Sequence, residues 1–278
     1  MKALIDHIPQ ELLDDISTGE CVPIIGAGFS MNAILPPTCK MPLWSDLGTE
    51  VAHRLKRPFS GDPKAELSAY CAECSKFELI RLLKKCLHIG TAKPGPAHDE
   101  FARLPFTQVL TTNFDFLLER AYNNVGKPYL PVVDEDLMPF GRTDGETRIL
   151  KMHGDLHHPS LMVITEEDYD KFSKLRESMF QEVAYILSHH SVMFVGYSID
   201  DPDIRQIWSL VKTYFGEFRR PAYALLVEPT ETQVQTYIRR GVTRVVSLPR
   251  GSMTYGDVLA DTFQQIGRAI TTSAIKRP

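Results

Sequence analysis

Runs of like charge are missing from this sequence. Across 278 residues no more than two Lys or Arg stand together, the formal charge is -4 and the pI is near 6.1. Scattered basic residues on a mildly acidic chain leave no electrostatic footprint for nucleic acid or for an anionic membrane. A nucleic acid would have to be reached through a partner. Long apolar runs are missing too: nothing approaches the ~18 uninterrupted apolar residues of a membrane-crossing helix. The opening Met1-Lys2-Ala3-Leu4-Ile5-Asp6-His7 breaks its apolar residues with charge at once, unlike a secretory leader. A cytoplasmic location without membrane attachment is the expectation. Cysteine is sparse and odd in number, with five residues at positions 21, 39, 71, 74 and 86, which fits reduced thiols. Cys71-Ala72-Glu73-Cys74 has no second Cys-x-x-Cys and no His at partner spacing, and its flanks read as helix, so no metal site and no zinc are expected. Internal repeats and low-complexity linkers are also lacking, and the chain is expected to form a single domain over residues 1–278.

With 43% hydrophobic and 24% charged residues, the composition is that of a globular chain. Apolar runs of strand length alternate with helical periodicity. Strands are predicted at Cys21–Ile25, Phe106–Thr111, Arg148–Met152, Leu161–Ile164, Ser191–Val195, Ala222–Val227 and Val242–Ser247. Helices are predicted between them, among them Glu166–Lys174, Glu177–His189, Pro202–Phe215 and Tyr255–Ile270. Five or more apolar strands separated by helices imply an α/β class: a Rossmann-like, doubly wound, mostly parallel sheet covered on both faces. Residues 42–95 carry helical spacing with no strand candidate, and read as a helical insertion or lid between the first two core strands.

Four short motifs follow predicted strands. Gly26-Ala27-Gly28-Phe29-Ser30 comes after the first, where backbone can turn tightly and approach a pyrophosphate, with Ser30 free to cap a helix or donate to a phosphate. No glycine follows through Ala33, which weakens a dehydrogenase reading. Thr111-Thr112-Asn113-Phe114-Asp115 ends the second. There the Asn113 amide offers donor and acceptor to a ribose hydroxyl or a water, and Asp115 stands where a helix N-cap belongs. His153-Gly154-Asp155 ends the third, with His153 placed for proton transfer near neutral pH. Gly196-Tyr197-Ser198 makes a second small-residue turn. Beyond it, Asp200-Asp201-Pro202-Asp203 reads as a helix start, with Asp201 at the cap. In open α/β sheets ligands bind outside the carboxyl ends of the strands, so the four motifs can converge on one nucleotide site. His157, His158, His189 and His190 show no metal-ligand pattern.

In this order the motifs resemble the sirtuin superfamily: a Gly-Ala-Gly-x-Ser loop, Asn-x-Asp, His-Gly and a late Gly-x-Ser, spanning roughly Val22 to Val246. The resemblance implies NAD+ bound by Gly26, Ala27, Gly28, Ser30, Asp115, Gly196 and Ser198, with Asn113 by the nicotinamide ribose and His153 as general base. Protein deacetylases of that superfamily carry Ile-Pro-Asp-Phe-Arg, a Gln before the Asn and a zinc ribbon. Here Met41-Pro42-Leu43-Trp44 and Thr112 stand instead, and the ribbon is missing. The chain is more similar to the divergent bacterial branch with Thr-x-Asn-x-Asp and Gly-Tyr-Ser-x-x-Asp-Pro-Asp. That similarity implies NAD+ hydrolysis to nicotinamide and ADP-ribose in anti-phage cell suicide. It also implies control through a homo-oligomer or a separately encoded ATPase/helicase or Argonaute-like sensor. The competing readings are an NAD-dependent protein deacylase or ADP-ribosyltransferase, and a non-catalytic sensor of NAD or ADP-ribose.

Overall fold

The computed structural model describes residues 3–138, 145–198, 202–216 and 219–276. In chain order the elements are α1 (Gln10–Thr18), β1 (Cys21–Ile25), α2 (Ala27–Ser30), α3 (Trp44–Arg54), α4 (Pro63–Cys74), α5 (Lys76–Cys86) and α6 (Pro96–Arg103). Then come β2 (Gln108–Thr111), α7 (Leu117–Val125), β3 (Tyr129–Val132), β4 (Thr147–Lys151), α8 (Glu166–Leu175) and α9 (Glu177–His189). The last group is β5 (Ser191–Val195), α10 (Pro202–Phe215), β6 (Ala222–Val227), α11 (Glu231–Arg239), β7 (Arg244–Leu248) and α12 (Tyr255–Lys276).

All seven strands are parallel, in the order β3-β4-β2-β1-β5-β6-β7. The chain winds outward from β1 to one edge, then returns to β5 beside β1 and winds to the other edge. The point where the order reverses therefore lies between β1 and β5, the position at which doubly wound sheets open a ligand crevice. The strand sequences explain the burial. Cys21 and Ile25 of β1, Met193 and Val195 of β5, and Tyr223 and Leu225 of β6 face one apolar cluster under α1, α6 and α12. Their neighbours Val22, Ile24, Val192, Phe194, Ala222 and Ala224 face a second cluster under α8, α9 and α10. A period of two with both faces apolar is the signature of a strand covered on both sides.

Between β1 and β2 the chain forms helices α2 to α6 and no strand. An isolated antiparallel bridge, Ile34 to Lys93, pins the two ends of this stretch together through paired backbone hydrogen bonds of 2.8 and 3.0 Å. Inside it, Leu47, Val51, Leu67, Leu79, Leu82 and Leu83 build a third apolar cluster, which continues into Phe114 and Phe116 beyond β2 and Leu156, Met162 and Ile164 beyond β4. The helices thus sit over the carboxyl ends of β2 and β4.

The structure corrects one predicted strand and adds another. Residues 161–164 form no strand: a 3-10 turn covers Pro159–Leu161, and Met162, Val163 and Ile164 are buried in irregular backbone whose Val163 N–H donates to the His153 carbonyl at 3.0 Å. Burial of a loop mimics the apolar run of a strand. Conversely, β3 went unread: of Tyr129, Leu130, Pro131 and Val132 only Val132 is buried, so no run buried on both faces marks it. At the sheet edge one face of the ladder has no neighbour to receive an N–H, so proline is tolerated there.

Candidate functional site

The register of the sheet brings the motifs into one line. Lys151 of β4 pairs with Thr111 of β2, Thr111 with Ile25 of β1, Ile25 with Val195 of β5, and Val195 with Leu225 of β6. Gly26 and Gly196 begin one residue past this row, and Asn113 and His153 stand two residues past it on adjacent strands. With strands about 4.8 Å apart, four motifs spread through the sequence share one short edge.

At the reversal point the two glycine turns interlock. Gly28 N–H donates to the Gly196 carbonyl at 2.8 Å, and Gly26 N–H to the Val195 carbonyl at 3.2 Å. A Cβ on Gly26 would lie 2.5 Å from the Tyr197 Cα, one on Gly28 would lie 2.8 Å from the Gly196 oxygen, and one on Gly196 would lie 2.1 Å from the Phe29 nitrogen. Gly196 also has φ +57, a conformation other residues adopt with strain. The glycines are thus demanded first by backbone packing on backbone. The amides of Gly26, Gly28 and Phe29 are already spent on the protein, that of Phe29 donating to the Gly26 carbonyl at 2.9 Å. Ala27, Gly28 and Gly196 remain partly open to solvent and Ser198 is exposed. Asp200 and Asp201 lie outside the described residues.

Ser30 neither caps the helix that follows its turn nor faces solvent. It is buried (3% exposed), and its Oγ donates to Asp115 Oδ2 at 2.6 Å while accepting from Asn113 Nδ2 at 2.9 Å. Asp115, equally shielded, uses Oδ1 to accept the Leu117 N–H at 3.0 Å, tying the start of α7 to the network. With the Ser30 proton pointing to Asp115, the Oγ lone pair takes an amide hydrogen from Asn113. That fixes the Asn113 amide: its NH2 turns to Ser30, which leaves Oδ1 as the acceptor on the other side. The Asn113 backbone is held as well, its N–H donating to Thr111 Oγ1 at 3.1 Å while Thr111 Oγ1 donates to the Ile25 carbonyl at 3.0 Å.

His153 follows the end of β4 through a tight turn in which Gly154, at φ +72, donates its N–H to the Lys151 carbonyl. Only 2% exposed, the imidazole stands edge-to-face with Tyr169 (centroids 5.2 Å, 79°) and Phe172 (5.9 Å, 82°) of α8. The structure therefore sets His153 in an aromatic wall at the sheet edge. His157 stacks on Phe116 at 4.0 Å and His158 Nδ1 meets Asp155 Oδ1 at 2.9 Å, both as exposed side chains.

Three residues of this region were not legible as site residues in the sequence. Lys151, 1% exposed, donates through Nζ to Glu119 Oε1 and to the Asp115 carbonyl, both at 2.6 Å, and stands 4.8 Å over the Phe116 ring. Burial pushes the Glu119 carboxyl up while Lys151 pulls it down. His98 of α6 is fully buried against Phe29, ring centroids 4.5 Å apart, and accepts the Gly95 N–H at Nδ1. Burial drives its pKa down to about 4 against the pull of Asp115, so it is neutral at pH 7 with its proton on Nε2. Tyr169 is the third. A lysine inside an apolar run and a histidine in a Lys-Pro-Gly-Pro-Ala-His segment carried a faint signal, but their partners come from other elements.

Cys71 and Cys74 are free thiols on α4, and burial raises the Cys71 pKa. Among the described residues no three His, Cys, Asp or Glu side chains form a group that could hold a metal ion. None of the described helices is long and apolar enough to cross a membrane.

The SIR2-like domain family matches residues 107–242, a stretch that contains Asn113, Asp115, His153, Gly196 and Ser198. The chain is 30% identical over 129 residues to the NAD(+) hydrolase ThsA of Bacillus cereus (strain MSX-D12), covering 46% of this chain and 27% of that protein. It is 31% identical over 132 residues to the NAD(+) hydrolase ThsA of Enterococcus faecium, with the same two coverages. Against the defense-associated sirtuin 2 of Bacillus subtilis it is 26% identical over 150 residues, 52% of this chain and 14% of that protein. The chain spans little more than a quarter of the length of the ThsA relatives it matches.

Proposed function

From a chain that carries a SIR2-like domain and is homologous to ThsA hydrolases and to defense-associated sirtuin 2, we propose an NAD+ hydrolase that releases nicotinamide and ADP-ribose. The observation that carries this reading is the placement of Asn113, its amide fixed by Ser30, and of His153 on adjacent strands, each two residues past a paired position, at the sheet edge that also bears the interlocked glycine turns. In this reading the pyrophosphate lies along Gly26, Ala27, Gly28, Gly196 and Ser198, with the nicotinamide ribose toward β2 and β4. The bond from C1′ to the pyridinium nitrogen breaks, its electron pair leaves with nicotinamide, and the ribose passes through an oxocarbenium-like state. Water attacks C1′ and gives its proton to His153, acting as general base. Asn113 Oδ1, held in place by the Ser30 and Asp115 chain, accepts from a ribose hydroxyl or from that water. The Ser30 to Asp115 bond spans 85 positions, so it exists only once the sheet is assembled.

The homology supports a defence role of the kind named for the Bacillus subtilis relative, and the proposal extends to cell suicide through NAD+ cleavage in the cytoplasm. Restraint through a second copy or a separately encoded sensor belongs to the same proposal.

The test is nicotinamide release from NAD+ by the purified chain. Asn113→Ala and His153→Ala should each lower turnover by about 10²-fold or more while melting like the parent, since general base action is worth roughly 10²–10⁴. A folded His153→Ala protein with parental turnover would remove the assignment of the base.

A further inference from the structure

The wall around His153 comes from α8, and α8 is seated on the helical stretch between β1 and β2. Tyr169 and Phe172 lie three residues apart and thus on one face of the helix, and both rings meet the imidazole. They are not equivalent. Phe172 is fully buried in the core beneath α9, whereas Tyr169 is half-buried and carries a second contact, the Lys64 ammonium of α4, 5.3 Å from its ring centroid. One residue away, Asp168 accepts the Lys76 ammonium of α5 at 2.9 Å and, through Oδ2, the Ile164 and Thr165 amides at 3.1 and 3.0 Å. Although burial pushes its carboxyl up, these donors hold Asp168 below the usual carboxylate range. The Glu166 N–H donates to Ser68 Oγ of α4 at 2.9 Å. The first turn of α8 is thereby fastened to α4 and α5 at three residues, 166, 168 and 169.

We propose that Tyr169 is a positioning residue for His153 and that the α4–α5 pair, through Lys64 and Lys76, holds Tyr169 in place. This rests on the assignment of His153 as general base in NAD+ hydrolysis. An edge-to-face contact constrains the plane of the imidazole without donating or accepting a proton. Displacement of α4 and α5 would release that plane and leave the glycine turns of the nucleotide site untouched. The residues between β1 and β2 would then govern turnover more than binding.

The experiment compares Tyr169→Phe, Tyr169→Leu and the double variant Lys64→Met/Lys76→Met with the parent. Nicotinamide release gives kcat and KM, and the imidazole resonances of histidine-labelled protein are recorded, with His153 assigned by its loss in His153→Ala. Tyr169→Phe keeps the ring and should stay within about twofold of the parent. Tyr169→Leu should lower kcat by about 10- to 100-fold, the scale of a reacting group misplaced by an ångström, with KM changed less than about threefold. The double lysine variant should lower kcat by about three- to tenfold, and in both deficient variants the His153 resonance should shift or split. Parental kcat together with an unmoved His153 resonance in Tyr169→Leu would overturn the proposal. If Tyr169→Leu fails to fold, the double lysine variant decides by the same two readings. If the parent releases no nicotinamide, the hydrolase reading falls, and the His153 resonance alone still decides whether Tyr169 positions the ring.

Discussion

At the scale of the residue, the site depends on side chains whose protonation is set by burial. His98 is the plainest case. Its imidazole titrates near 6.5 when unfolded and near 4 in the folded chain, so between those values the unfolded state binds the extra proton. Its neutral form is fully compatible with the fold above pH 6.5, and stability is lost as pH falls from there toward 4, by roughly 3 kcal/mol in all. Urea unfolding at pH 7 and at pH 4.5 should show a larger loss for the parent than for His98→Gln, which keeps a donor but cannot titrate. Equal losses would mean that His98 gains a proton without penalty. The sequence showed the residue types of the site well and their partners poorly. Asn113, Asp115 and His153 could be picked out because each ends an apolar run. That Ser30 belongs to Asp115, 85 positions away, and that Lys151 neutralises Glu119 beneath them, are tertiary facts with no local periodicity to announce them.

At the scale of the element, what the sequence made legible were strands buried on both faces and helices with clear starts. β1 and β5 coincide with their apolar runs because both faces are covered, and α9 and α10 begin and end where the pattern places them. The edge strand β3 and the buried loop at 162–164 went unread because sheet position and loop burial decided them, not composition. The contact between elements that tolerates least change is the one between the glycine turns. Gly196→Ala adds a methyl group 2.1 Å from the Phe29 nitrogen at a φ of +57, and should destabilise the protein by about 3–5 kcal/mol. Gly216→Ala is the control: its φ of +52 imposes the same backbone strain, yet its Cβ would meet nothing within 4 Å. It should cost only about 1 kcal/mol, measured by thermal or urea unfolding. Similar losses at the two sites would show that strain and not contact dominates.

At the scale of the whole molecule, the sheet supplies the edge on which the four motifs stand, and helices α3 to α5 pack over the ends of β2 and β4. If the proposed hydrolase is restrained by assembly, specific activity should rise with protein concentration in step with a change in size, measured by light scattering on the same samples. A monomer with full, concentration-independent turnover would remove control by self-assembly and leave the chemistry in place. The pairing of β1 with β5 also has a temporal meaning. Val195 leaves the ribosome about 170 residues after Ile25, which at 5–20 residues per second is roughly 10–30 s of synthesis. Until then β1 has no neighbour on that side, and Gly28 has no carbonyl to receive its amide. A nascent chain therefore lacks the interlocked glycine turns until residue 196 has emerged, and a product that stops before it cannot build them. Under the proposed NAD+ hydrolysis, that delay keeps unfinished copies inactive.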